Sequence, residues 1–374
     1  MQPTVLILSE PSDVHAHAVA LALRHRGVDS IFWHTPDFPS VASESVSFFK
    51  STLSFEIGDS ESSSLHDVRT VWRRRPSFVL PANALDPADR EFAEQECRLF
   101  RRGLFEVLLP TAFWVNSPNA ASRAGLKLVQ HTAAVAIGFE TPDTLYSNDP
   151  EQIRDFLASH GGRAIYKVLH PVLWRGENTS WAPYTSVVTT NQLVEDATLR
   201  LTPGIFQEVV PKSYELRVTA MGQHLFAAKI LSQETGAGRL DWRKAYAELQ
   251  MEPIELSAEI TRKCRLLCER LGLVFGCIDL IVTPEGETVF LEINEAGQFL
   301  FVETYSGIPL LDAFTEFLSQ GRTDFTWSAA DVKIRYSEVR EAALTSAKEA
   351  ETCHVVPPDQ SILEVPAQPN PPSD

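Results

Sequence analysis

The residues best suited to chemistry cluster around position 285. Asp279 lies in an apolar run, 276–283, and Glu292 in a second, 288–293, with Asn294 just beyond. Pro284, Glu285, Gly286 and Glu287 separate the runs, which together read as a β-hairpin. A two-residue loop of Glu285 and Gly286 pairs Pro284 with Glu287. Counting outward then pairs 282 with 289, 280 with 291, and Asp279 with Glu292. One face becomes Ile278, Leu280, Val282, Val289, Leu291 and Ile293. The other sets Asp279 opposite Glu292, with Asn294 on the same side. Facing carboxylates repel across strands, and a divalent cation relieves that repulsion. Two carboxylates and an amide are hard oxygen donors that suit Mg²⁺. A merely solvated polar face is the alternative.

Basic residues in apolar surroundings extend the pattern. Lys167 lies among Ile165, Tyr166, Val168 and Leu169, where a lone ammonium needs an anion. Arg217 and Lys229 interrupt the two arms, 215–220 and 224–230, of another hairpin that turns at Met221, Gly222 and Gln223. Lys212, Arg239 and Arg243 are near in sequence. Any one of these fits ordinary ion pairing. As a set beside a Mg²⁺ site they point to phosphate.

The elements that must hold these residues are an alternation of strands and helices. Val5 to Leu8, a helix over 15–25 stopped by Gly27, and Ile31 to Trp33 make a β-α-β opening, which predicts a parallel sheet. Further strands are expected within 48–57 and ending at 71–76, then a long helix over 86–108 and a helix over 120–137. A helix over 151–159, a strand over 164–169, a loop rich in Trp, Gly and Pro over 170–185, and a strand over 205–210 follow. An amphipathic helix covers 257–271, and a closing helix 307–319. The Pro-rich, polar end predicts disorder. No G-x-G-x-x-G follows the first strand, which argues against a dinucleotide.

Composition narrows the class. The 374 residues suit two or three domains, and 33 Lys+Arg against 49 Asp+Glu give a net charge of −16. That argues against nucleic acid and anionic lipid as partners. No apolar run approaches the ~20 residues of a membrane span. The start lacks the marks of a secretion signal, and five scattered cysteines fit reduced thiols in a cytoplasm. Cys264 and Cys268 belong to a packed helix face. His15 and His17 read as helix start and surface after Asp13. Trp174 and Trp181 anchor the loop after Lys167 or pack over a ligand.

In this order the residues resemble the ATP-grasp ligases. The motifs are Lys127 in a helix before Gly138, Phe139, Glu140, Thr141 and Pro142; Lys167 in a strand; Gln207, Glu208, Val209 and Val210, then Glu215 and Arg217; and finally Asp279 with Glu292, Ile293 and Asn294. The resemblance covers about 1–325. It implies an α/β fold with an N-terminal parallel-sheet (pre-ATP-grasp) domain, a central lid domain and a C-terminal antiparallel-sheet domain carrying the metal site. The expected boundaries are 1–118, 119–205 and 206–325, with 326–374 a disordered tail. The cofactors implied are ATP and Mg²⁺. Lys127 and Lys167 would approach the phosphates, Gln207, Glu208, Val209 and Val210 would form the hinge against the adenine, and Glu215 would join the nucleotide site. Asp279, Glu292 and Asn294 would hold Mg²⁺.

A narrower resemblance rests on Val71, Trp72, Arg73, Arg74, Arg75 and Pro76, on Trp114 to Asn116, and on Glu292 to Phe299. It is to the graspetide (microviridin-type) macrocyclases, which join Asp or Glu side chains of a ribosomal precursor peptide to Ser, Thr or Lys. It implies a peptide partner with a leader and an acidic core. The carboxylate would attack the γ-phosphate of ATP, and a hydroxyl or amine would displace phosphate from the acylphosphate. Arg217, with Lys229 or Arg243, would stabilise the anions formed, and Glu215 or Asp241 would accept the proton. Arg73, Arg74, Lys212 and Arg239 would meet the peptide; for the arginines a solvated strand end is the alternative. A ligase adding free amino acids and a catalytically silent peptide binder are the rival readings. A homodimer is left open.

Overall fold

The first strand is an apolar run whose every residue after Thr4 is buried. The structure, a computed structural model, describes residues 4–50, 52–57, 65–81, 85–169, 174–175, 180–181, 186–234, 242 and 249–358. In the N-terminal part, β1 (Thr4–Ser9) leads to α1 (Val14–His25) and β2 (Ser30–His34). The Asp13 carboxylate caps α1, accepting from the His15 and Ala16 amides at 3.0 and 3.4 Å. Then come β3 (Glu44–Phe49), β4 (Thr52–Ile57), β5 (Val68–Arg73), α2 (Pro87–Val107) and β6 (Phe113–Val115). The order β2-β1-β5-β6 is parallel throughout, as the opening alternation predicted. The 48–57 stretch forms its own antiparallel hairpin of β3 and β4.

The helix expected over 120–137 is two, α3 (Pro118–Ala124) and α4 (Lys127–Ala136). Gly125 caps the first, and the break makes Lys127 the opening residue of the second. The central sheet follows: β7 (Thr144–Ser147), α5 (Pro150–Ser159), β8 (Arg163–Lys167), β9 (Trp174–Arg175), β10 (Ser180–Trp181), β11 (Ser186–Thr189), α6 (Asp196–Leu199) and β12 (Gly204–Gln207). It is antiparallel in the order β11-β8-β12-β7. Within the expected loop, β9 and β10 pair as a short ladder. The rest of that stretch lies outside the described residues.

The C-terminal part holds β13 (Tyr214–Met221), β14 (His224–Ile230), β15 (Met251–Pro253), α7 (Ala258–Leu271), β16 (Phe275–Val282), β17 (Thr288–Asn294), α8 (Leu300–Ser306), α9 (Leu310–Gln320) and α10 (Tyr336–Cys353). Its sheet runs β15-β14-β13-β16-β17, antiparallel at every step. One face, with Leu216, Val218, Ile278, Leu280 and Ile293, packs on α4 and α7. Each such buried side chain contributes about 1.5–3 kcal/mol. Cys264 and Cys268 lie in that layer, as expected, and burial pushes both thiols up to about 12. The other face meets α8, α9 and the N-terminal part through Phe275, Phe299, Phe301 and Phe314.

Two expectations fail here. Residues 326–358 are not disordered: α10 packs on α1, with Ala343 and Ala347 buried one turn apart. A stripe of small residues lets two helices approach closely while leaving little hydropathy signal. The remainder of the tail lies outside the described residues. His15 and His17 are packed rather than at the surface. His17 stacks on Phe32 with Nε2 2.8 Å from the Pro11 carbonyl, and His15 Nε2 accepts from the Leu300 amide at 3.4 Å. Among the described residues, no helix is long and apolar enough to cross a membrane.

Candidate active site

The turn between β16 and β17 decides where the carboxylates stand. Thr283 N donates to Glu287 O at 2.9 Å, and Gly286 N to Thr283 O at 3.0 Å. The loop therefore has three residues, not two, with Gly286 at φ 88° where only glycine sits without strain. This shifts the register by one, so Val282 pairs with Thr288 and Leu280 with Phe290. A bulge then skips Leu291 and shifts it back, and Asp279 stands opposite Glu292 after all. The expected apolar face is corrected to Ile278, Leu280, Val282, Phe290 and Ile293, with Phe290 in the place given to Leu291.

Around that pair the charges alternate. Both oxygens of Asp279 lie 2.8 Å from Nη1 of Arg217, its direct neighbour on β13. Arg217 Nη2 donates to Gln298 O at 2.9 Å. Burial alone would lower the Arg217 pKa, but Asp279 overrides it and raises the value, so the guanidinium stays charged. Asn294 Nδ2 lies 3.5 Å from Asp279 and 3.4 Å from Glu292, so the three side chains meet around one point. Lys127 Nζ donates to Glu292 Oε2 at 2.6 Å. A lysine opening a helix faces the positive end of the helix dipole, and Glu292 offsets that penalty. An amide's O and N are interchangeable by rotation. The cluster therefore offers three hard oxygen donors and fits Mg²⁺.

Buried amides hold the frame. Gln130 on α4 donates to Ile293 O at 2.8 Å and accepts from Ile293 N at 3.1 Å, completing the edge of β17. Asn116 donates to Phe275 O and Glu295 O, both at 2.8 Å, and accepts from the Val274 and Phe275 amides. A Cβ on Gly297 would lie 2.6 Å from Cys277 Cβ and 3.1 Å from Arg217 Nη2. Sequence reasoning missed Gln130 and Gly297. A glutamine inside an apolar helix face was the available signal.

The other expected residues are placed unevenly. Lys167 pairs with Ile205; burial lowers the pKa of His131 on α4, and the nearby Lys167 adds to that. Gln207 ends β12 with Nε2 3.0 Å from Thr144 Oγ1, and Glu208, Val209 and Val210 lead half-buried toward β13. Glu215 is buried on the face that carries Arg217, and Lys212 donates to it at 2.6 Å. Burial pushes the Glu215 carboxyl up, against the pull of Lys212.

Lys229 does not join Arg217. The two-residue turn pairs Met221 with His224, so Lys229 stands opposite Leu216 on the other face, with Nζ 4.6 Å from the Tyr214 ring. Arg74 is no solvated strand end either. It is buried, with Nε 3.1 Å from Asp13 and Nη1 on the Ala296 carbonyl, tying β5 to the loop after β17. Arg73 is half-buried; burial lowers its pKa and the nearby Glu295 opposes that. Arg239, Asp241 and Arg243 lie outside the described residues.

No family model matches the sequence, and no curated protein does. Solved structures match it over most of its length. A Chryseobacterium gregarium RiPP-associated ATP-grasp ligase, in complex with ADP and a leader and core peptide, is 27% identical at a TM-score of 0.75, covering 85% of this chain and 96% of that one. Macrocyclase MdnC from Microcystis aeruginosa, bound with precursor peptide MdnA, is 30% identical at 0.74, over 85% and 99%. Macrocyclase MdnB from the same organism is 27% identical at 0.71, over 84% and 99%. With this fold, and with 30% identity across almost all of MdnC, the chain belongs to the graspetide macrocyclases, a family of ATP-grasp peptide ligases.

Proposed function

We propose that the protein uses ATP to activate Asp or Glu side chains of a ribosomal precursor peptide as acylphosphates. A Ser or Thr hydroxyl or a Lys amine of the same peptide then displaces phosphate and closes a ring. The observation that carries this reading is the meeting of Asp279, Glu292 and Asn294 between Arg217 and Lys127. The three oxygen-bearing side chains would hold Mg²⁺, which supplies charge neutralisation at the nucleotide phosphates. Lys127 and Lys167 hold the phosphates, and the backbone of Gln207 to Val210, with Glu215, binds the nucleoside. Arg217 fixes Asp279 in place and sets a permanent positive charge beside the developing anion. Lys229, on the far face, takes no part. Arg73 would meet the acidic core of the peptide. The ATP requirement puts the reaction in the cytoplasm.

The test is incubation with a candidate precursor peptide and Mg-ATP. Cyclisation removes one water per linkage and releases one ADP and one phosphate. A product heavier by an amino-acid residue, or no phosphate release with any acidic peptide partner, refutes the proposal.

A further inference from the structure

We propose that Asp143, His160 and Glu208 bind a divalent transition-metal ion, with Zn²⁺ the best match, beside the segment leaving the central sheet. Asp143 directly precedes β7 and Glu208 directly follows β12, and these strands are antiparallel neighbours. The Glu208 amide donates to Asp143 O at 2.9 Å, which continues the ladder and brings the two side chains together. His160 caps the C-terminus of α5. One ligand atom from each of the three residues lies within 4.8 Å of the other two.

The imidazole is set for a cation. His160 Nδ1 lies 2.8 Å from Phe156 O, and its ring stacks on that of Phe156 at 4.3 Å. A carbonyl only accepts, so Nδ1 carries the proton and donates. With no ion bound, Nε2 faces Asp143 Oδ2 at 3.2 Å and, when protonated, donates to it. A metal ion would take the place of that proton between the ring nitrogen and the carboxylate. A backbone carbonyl holding the far nitrogen is also how metal-binding histidines are usually oriented.

Two carboxylates and one neutral imidazole sum to −2, matching a divalent ion. Nitrogen and carboxylate oxygen together favour Zn²⁺ over Mg²⁺. Zn²⁺ bonds of about 2.0–2.2 Å require ligand atoms closer than they stand here. The Asp143 side chain, 75% exposed, is free to close on the ion, and water completes the shell. The ion would pin α5 to the β7–β12 ladder beside Glu208.

The experiment titrates chelator-stripped full-length protein with Zn²⁺ alone by calorimetry, and with Co²⁺ by visible absorption. One equivalent is expected to bind with micromolar affinity or better. His160→Ala and Asp143→Asn should each weaken it at least tenfold with unchanged circular dichroism, and the Co²⁺ bands should vanish. Asp279→Asn should leave Zn²⁺ binding intact, which separates this site from the reaction centre. Equal binding by wild type and His160→Ala, or none up to about 100 µM Zn²⁺, overturns the proposal.

Discussion

Arg217 and Asp279 face each other on adjacent strands, and a single guanidinium nitrogen reaches both carboxylate oxygens at 2.8 Å. Both residues are buried. Removing one partner of such a pair strands the other charge in a low-dielectric site, at about 3–5 kcal/mol. Arg217→Ala should therefore lose both activity and stability. Asp279→Asn keeps an acceptor for Arg217 and should lose activity with less unfolding. Urea denaturation of the two variants side by side checks the asymmetry.

Lys127 and Glu292 form the looser pair. Their side chains are 20% and 24% exposed, so breaking the pair should change stability by no more than about 1 kcal/mol. Lys127→Ala and Glu292→Gln should nonetheless slow ATP-dependent turnover by roughly 10²–10³-fold, the usual effect of removing one electrostatic group. Phosphate release against melting temperature reads the split. A variant that keeps the wild-type rate places the reaction elsewhere.

Acid should weaken the fold through its packed histidines. Burial is the main cause that brings His15 from 6.5 to about 3, with Arg74 adding to it. Above pH 6.5 neither folded nor unfolded chain is charged there. Below it the unfolded chain takes a proton that the folded one refuses, so stability falls as pH drops toward 3, by up to about 1.4 kcal/mol per pH unit. His34, brought to about 4 by burial and by His354, acts in the same direction. His15→Gln should flatten the fall in denaturation midpoint between pH 7 and 5. An unaltered slope would show that His15 is not its source.

Two glycines separate fold from site. A Cβ on Gly222, at φ 53°, would lie 2.1 Å from Thr323 O, so Gly222→Ala should destabilise the protein by about 1–3 kcal/mol. Gly297→Ala instead presses on Cys277 and Arg217 and should reduce turnover more than it lowers the melting temperature. Parallel melting and turnover measurements distinguish them.

What could be read in advance followed from short-range periodicity. Alternation put Asp279 and Glu292 on one face, and they pair there because the bulge at Leu291 cancels the misjudged turn length. Lys229 was legible and misread: counting outward from Gly222 and Gln223 sets Arg217 opposite Ala228. The tie between Arg74 and the Ala296 carbonyl joins residues far apart in the chain, and no local pattern reports that. The small-residue contact of α10 on α1 carries too little hydropathy to stand out. Lys127 was assigned to a helix correctly, but its place at a helix start depended on the break at Gly125.

The three-residue loop and the skipped Leu291 cancel each other, and this insulates the Asp279 end of the ribbon from its tip. Pro284, Glu285 and Gly286 are exposed. An affinity tag or fluorophore grafted there would ride on a portion of the hairpin whose irregularities are absorbed before they reach Asp279. The tip is thus a natural handle for immobilising the enzyme.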